Sequence, residues 1–140
     1  MKKITLLLIA TLIGALLAAC TSGGTGSASI TGEWELVSYG SAAGPTAAHS
    51  EVETTISFGE DGQFGGNVGC NGFGAEYEVN GNEITFDAII STMMFCEAVA
   101  DQESAVIGAL SENLVTFQLD GDTLMLTSAD GASVVVLARK

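Results

Sequence analysis

From Gly32 onward, polar and apolar residues alternate with a period of two over short stretches separated by glycine-containing turns. Successive side chains of a strand point to opposite faces, so this pattern predicts half-buried antiparallel β-strands. Glu33-Trp34-Glu35-Leu36 and Glu76-Tyr77-Glu78-Val79 put aromatic and aliphatic groups on one face and carboxylates on the other. Ile56 and Phe58, Ile84 and Phe86, Phe117 and Leu119, and Leu124 and Leu126 repeat the pattern. Between them, Glu60-Asp61-Gly62, Asn80-Gly81-Asn82, Asp120-Gly121-Asp122 and Asp130-Gly131 supply residue types that tolerate the left-handed conformations of tight hairpins. About eight strands are expected. The stretch Val134-Val135-Val136-Leu137 is apolar on both faces and reads as a central or barrel-closing strand rather than an edge.

One segment departs from alternation. Val99, Val106, Ile107, Leu110 and Leu114 fall at helical spacing, predicting a helix over 99–114 with Asp101 near its positive end. The expected fold class is therefore α+β and mainly antiparallel β: a partly closed, barrel-like sheet of about eight strands, with this helix laid across its open side. Residues 40–50 are rich in Gly, Ala and Ser, hold the only proline, Pro45, and read as an exposed loop.

The first residues change the picture from fold to address. Lys2 and Lys3 precede an apolar run from Ile4 to Leu17, followed by small residues at Ala18 and Ala19, which is the grammar of a secretory leader. The run is shorter than the roughly 20 residues that span a bilayer as a helix. Leu17-Ala18-Ala19-Cys20 resembles the lipobox of bacterial lipoproteins. That resemblance implies a signal peptide at 1–19, lipid on the Cys20 thiol, and a membrane anchor outside the cytoplasm. Thr21 in second mature position, where an aspartate would retain the protein, points to the outer membrane if the cell has two. Residues 20–30 then form the lipidated cysteine and a flexible Gly/Ser/Thr tether, and 31–140 one folded domain.

Charge narrows the partners. All 17 acidic side chains follow Cys20, and only Arg139 and Lys140 oppose them there, for a formal charge of −15. Such a surface repels phosphate backbones, so nucleic-acid binding is excluded.

Gly69-Cys70-Asn71-Gly72-Phe73, then Tyr77, then Thr92-Met93-Met94-Phe95-Cys96, together with Gly32-Glu33-Trp34-Glu35-Leu36, resemble the META domain of HslJ-like proteins across about residues 31–138. The motif residues carried over are Gly69, Cys70, Asn71, Phe73, Tyr77, Thr92, Met94 and Cys96; Ala75 departs from the family pattern, which often has glycine there. With Cys20 committed to lipid, an exported chain has two thiols left to pair in an oxidising compartment, and the resemblance implies the same Cys70–Cys96 disulfide. A reactive thiol is the alternative, but its only candidate imidazole base is His49, in the loose loop. Cys70, Cys96 and His49 as a zinc set lack the pairwise spacing of zinc sites. Asp120 and Asp122 suit a turn better than a calcium site, and the glycine-dense stretch 65–74 lacks the lysine of a phosphate loop.

Met93, Met94, Met125 and Phe95 are expected to fill the core, any left outside marking a contact surface. No catalytic residues, metal or cofactor are expected. The resemblance implies a non-enzymatic, lipid-anchored envelope module that meets an unknown envelope protein or peptide in stress tolerance or secretion. The alternative is a carrier holding a small apolar ligand within the barrel.

Overall fold

The computed structural model describes residues 29–140. The leader, Cys20 and the tether up to residue 28 lie outside the described residues, as does the lipid attachment read there. No helix among the described residues is long and apolar enough to cross a membrane.

The chain forms ten strands and one helix in the order β1 (Gly32–Ser41), β2 (Thr46–Ala47), β3 (Thr55–Phe58), β4 (Gln63–Asn67), β5 (Gly72–Asn80), β6 (Glu83–Phe86), β7 (Ile90–Ser91), α1 (Ala100–Leu110), β8 (Leu114–Asp120), β9 (Thr123–Ser128) and β10 (Ser133–Arg139). A 3-10 turn, Glu97–Val99, leads into α1. Eight of the strands pair in the order β10-β9-β8-β6-β5-β4-β3-β1, and β10 returns to β1, so the barrel closes completely. The seam runs from Trp34 opposite Arg139 to Ser41 opposite Ser133. The doubly apolar run 134–137 lies on this closing strand, as its pattern predicts. The short strands β2 and β7 are added outside the ring, on β1 and β5.

Alternation places Trp34, Ile56, Phe58, Ile84, Phe86, Leu124, Leu126, Val135 and Leu137 inside, all essentially without exposure. In β1 the register slips between Leu36 and Ser38. This bulge at Val37 advances the phase by one residue, so that Tyr39 rather than Ser38 enters the core and Val37 is left outside. Phe58, Phe64, Tyr77 and Phe86 pack as an aromatic cluster with ring centroids 4.6–6.5 Å apart.

Three expectations change. The sheet has no open side for a helix to cover; α1 instead sits at one end of the barrel, where it meets the connections at 48–49 and 68–71. The helix also stops at Leu110, not 114. Ser111 caps it by donating to the Ile107 carbonyl, Asn113 turns the chain at φ 66°, and Leu114 already pairs with Thr85 in the barrel. Within the expected loop 40–50, β1 continues to Ser41, and Thr46 and Ala47 fold back to pair with Tyr39 and Ser38.

The two ends of the barrel differ. One carries α1 and the longer connections. The other carries the tight hairpins at Gly62, Gly81 and Gly121, each at positive φ, and the entry of the chain at Ser29. There Arg139 stacks 4.2 Å above the Trp34 ring and donates to the carbonyls of Thr31 and Ser29, pinning the entry segment to the last strand.

Candidate functional site

The motif residues converge at the helix end. Cys70, after β4, and Cys96, before the 3-10 turn, are joined as a disulfide with Cα atoms 6.2 Å apart. The bridge ties the 68–71 loop to the segment that runs from β7 into α1. Asn71, next to the bridge and buried, is the hub. Its Nδ2 donates to the Met94 carbonyl and to Glu103 Oε2, each at 2.9 Å. Its Oδ1 accepts from Thr92 Oγ1 and from the Met94 N–H, each at 2.8 Å. Every hydrogen-bonding position of the amide is filled.

Glu103, on the first turn of α1, completes the clasp. Its Oε1 accepts from the backbone N–H groups of Cys70 and Asn71, so the carboxylate is taken up by three donors from one loop. Beside it, fully buried Gln102 donates to the Val68 carbonyl at 2.6 Å and accepts from the His49 N–H at 2.9 Å, joining the helix to two further segments. Asn67 turns the loop by accepting from Gly69 N–H at 2.7 Å and donating to the Cys70 carbonyl at 2.9 Å. Gly69 sits at φ +133°, with Val99 so close that a Cβ would touch it at 3.1 Å. Gly66, in β4, lies against β3 so tightly that a Cβ would fall 2.3 Å from the Thr55 carbonyl oxygen. These are structural reasons for glycine in a stretch that holds no phosphate-loop lysine.

The other two motif aromatics belong to the barrel wall. Phe73 packs on Phe64 at 5.6 Å, and Tyr77 lies farther down β5 with its hydroxyl donating to the Gly59 carbonyl at 2.8 Å. Burial, followed by the Asp61 carboxylate nearby, pushes the Tyr77 phenol above its usual range.

Between the clasped ends, the chain from β7 to Cys96 turns its side chains outward. Ile90 is 74% exposed, Met93 95%, Met94 62% and Phe95 82%. The expectation that Met93, Met94 and Phe95 fill the core is thus overturned: the clasp consumes the Met94 backbone and leaves its side chain on the surface. Met125 is half-buried on β9. The result is an apolar ledge, and between it and α1 runs an open groove of about 630 Å³ with Asn71 and Glu103 at its base. At the opposite end, Tyr77, Val79, Phe117 and Leu119 surround an apolar recess of about 580 Å³ beside Ile30.

With the two sulfurs bonded to each other, neither is a thiolate for attack or for zinc. His49 is exposed, and only its backbone reaches the clasp. No grouping of His, Cys, Asp and Glu suited to a metal ion occurs among the described residues. Sequence patterning missed Glu103 and Gln102, although a signal existed: both lie on the helical stripe between Val99 and Val106, where a polar residue requires a buried partner.

Residues 28–140 match the family model of the META domain. No curated protein matches the chain. Among solved structures, the fold is similar to the NMR structure of a protein from Burkholderia xenovorans, at TM-score 0.63 and 21% identity over 77% of this chain and 81% of that one. It is also similar to a DUF4847 family protein from Bacteroides vulgatus, at TM-score 0.57 and 18% identity over 79% and 93% of the two chains. A second NMR structure aligns at TM-score 0.57 and 23% identity, covering 74% and 86%. At these identities the likeness is one of fold.

Proposed function

The chain belongs to the META-domain family, and from that premise we propose that it is a non-enzymatic module of the cell envelope, anchored by lipid on Cys20, that works by protein or peptide contact in stress tolerance or secretion. The observation that carries this reading is the ledge. Soluble domains bury large apolar side chains, and a contiguous exposed group of them marks a contact site. Here Met93, Met94 and Phe95 are exposed on a segment held by a disulfide and a saturated asparagine, and Ile90 on a strand paired with Gly74. The chain enters at the hairpin end, so the ledge lies at the end of the barrel opposite that entry.

A photo-crosslinking side chain placed at position 93 in the full-length protein, in intact cells, tests the reading. Discrete adducts are expected from position 93 and not from Gln118, which is exposed on the wall of the barrel. Equal labelling from both positions, or none from 93, would contradict it. Cys20→Ala tests the anchor separately, and is expected to release the protein from the membrane fraction.

A second reading rests on the recess beside Ile30. Its apolar lining suits a small hydrophobic ligand, with Tyr77 and Phe117 in contact. Titration with a fluorescent fatty-acid analogue separates the two: saturable binding abolished by Phe117→Ser supports the carrier, and its absence supports the contact module.

A further inference from the structure

The groove between the ledge and α1 has a chemistry that specifies its occupant. On the helix side, Ala100, Ser104 and Gly108 recur every fourth residue, so small side chains face the space, with Ile107 beside them. A Cβ added at Gly108 would meet nothing within 4 Å. On the other side stand the apolar groups of Met94 and Phe95. A chain laid in this trough approaches the helix backbone closely while its apolar side chains rest on the ledge.

Carboxylates flank the groove along the chain. Glu97 and Asp101, both exposed, directly follow the groove residues Cys96 and Ala100, and no cation stands among the groove residues. Arg139 and Lys140, the only cations among the described residues, are engaged elsewhere: Arg139 with Trp34 and the Thr31 and Ser29 carbonyls, Lys140 with Thr55 and, at 3.8 Å, Glu53. Against 17 carboxylates this leaves a field that is negative around the molecule. It repels a second copy of the chain and an anionic bilayer alike, and attracts a positively charged partner.

We infer that the groove binds a cationic amphipathic peptide segment, one that sets aliphatic or aromatic side chains on Met94 and Phe95 and directs lysine or arginine to Glu97 and Asp101. This deepens the contact reading and rests on it.

The test uses the oxidised protein and a synthetic peptide alternating leucine with lysine, with binding followed by calorimetry. Met94→Ser combined with Phe95→Ser is expected to weaken binding about tenfold or more, the loss associated with a buried anchor. Glu97→Gln with Asp101→Asn is expected to weaken it a few-fold and flatten its salt dependence. Glu60→Gln with Asp61→Asn, at the opposite end, should change it less than about twofold. A peptide with glutamate in place of lysine should not bind. Equal weakening by the Glu60/Asp61 pair, or indifference to the ledge variant, would show diffuse charge attraction only and overturn the inference. So would retention of the protein on phosphatidylglycerol vesicles through Phe95. A crosslinked partner at position 93 that lacks any basic apolar stretch would leave the contact reading standing and remove this one.

Discussion

At the scale of single residues, Asn71 is the hydrogen-bonding hub of the helix end. Its amide satisfies four partners at once, and truncation leaves the Met94 N–H and carbonyl, the Thr92 hydroxyl and one Glu103 oxygen without their bonds. Unmade buried hydrogen bonds cost about 1–3 kcal/mol each, partly recovered by water. Asn71→Ala is therefore expected to lower unfolding stability by about 3 kcal/mol in urea titration, with Asn71→Asp at least as damaging because it sets a second carboxylate against Glu103. A loss below about 1 kcal/mol would mean that the hub is dispensable. Tyr77 gives a pH signature. Its folded-state phenol titrates above the unfolded one, so both states are protonated below about pH 10. Above that, the unfolded chain loses its proton first and stability declines until the folded phenol also ionises. Tyr77→Phe should lessen this alkaline decline while losing the hydrogen bond to Gly59 at every pH, as denaturation at pH 8 and pH 11 will read.

At the scale of elements, the strands were legible because each residue of a half-buried strand reports its own face, and the hairpins because Gly62, Gly81, Gly121 and Gly131 adopt the positive φ their turns require. The helix was legible in its start but not in its end. Leu114 continues the helical spacing by coincidence, and pairing with Thr85 in the barrel overrides it. Full closure was hidden because an outward valine in β10 looks the same whether it faces a helix or the barrel exterior; the pairing partner of that strand lies about a hundred residues away. The motif cysteines and Asn71 were visible as a pattern, but the ledge was not, since composition alone cannot say that Met94 lends its backbone inward and its side chain outward. The clasp joins these elements. Gln102→Ala should cost about 2–3 kcal/mol, because the Val68 carbonyl and His49 N–H lose a shared buried partner. Replacing Cys70 and Cys96 together with serine removes a 26-residue cross-link and should cost about 3 kcal/mol by chain entropy. Both are read as shifts in the urea midpoint, and an unchanged midpoint would contradict the assigned roles.

At the scale of the whole molecule, the two ends of the barrel are built differently. The hairpin end receives the chain at Ser29 and locks it with Arg139. The helix end presents an ordered apolar ledge on an otherwise acidic body. The contact reading and the peptide inferred for the groove both depend on the ledge being exposed and fixed, since an exposed apolar segment without fixed geometry has little specificity to offer a partner. Amide hydrogen exchange resolved by residue, on the oxidised protein, measures this directly. The Thr92 N–H, bonded to the Gly72 carbonyl, and the Met94 N–H, bonded to Asn71, should exchange far more slowly than a free peptide. If Thr92 and Met94 instead exchanged at free-peptide rates, the ledge would be an unrestrained loop and the account would fail.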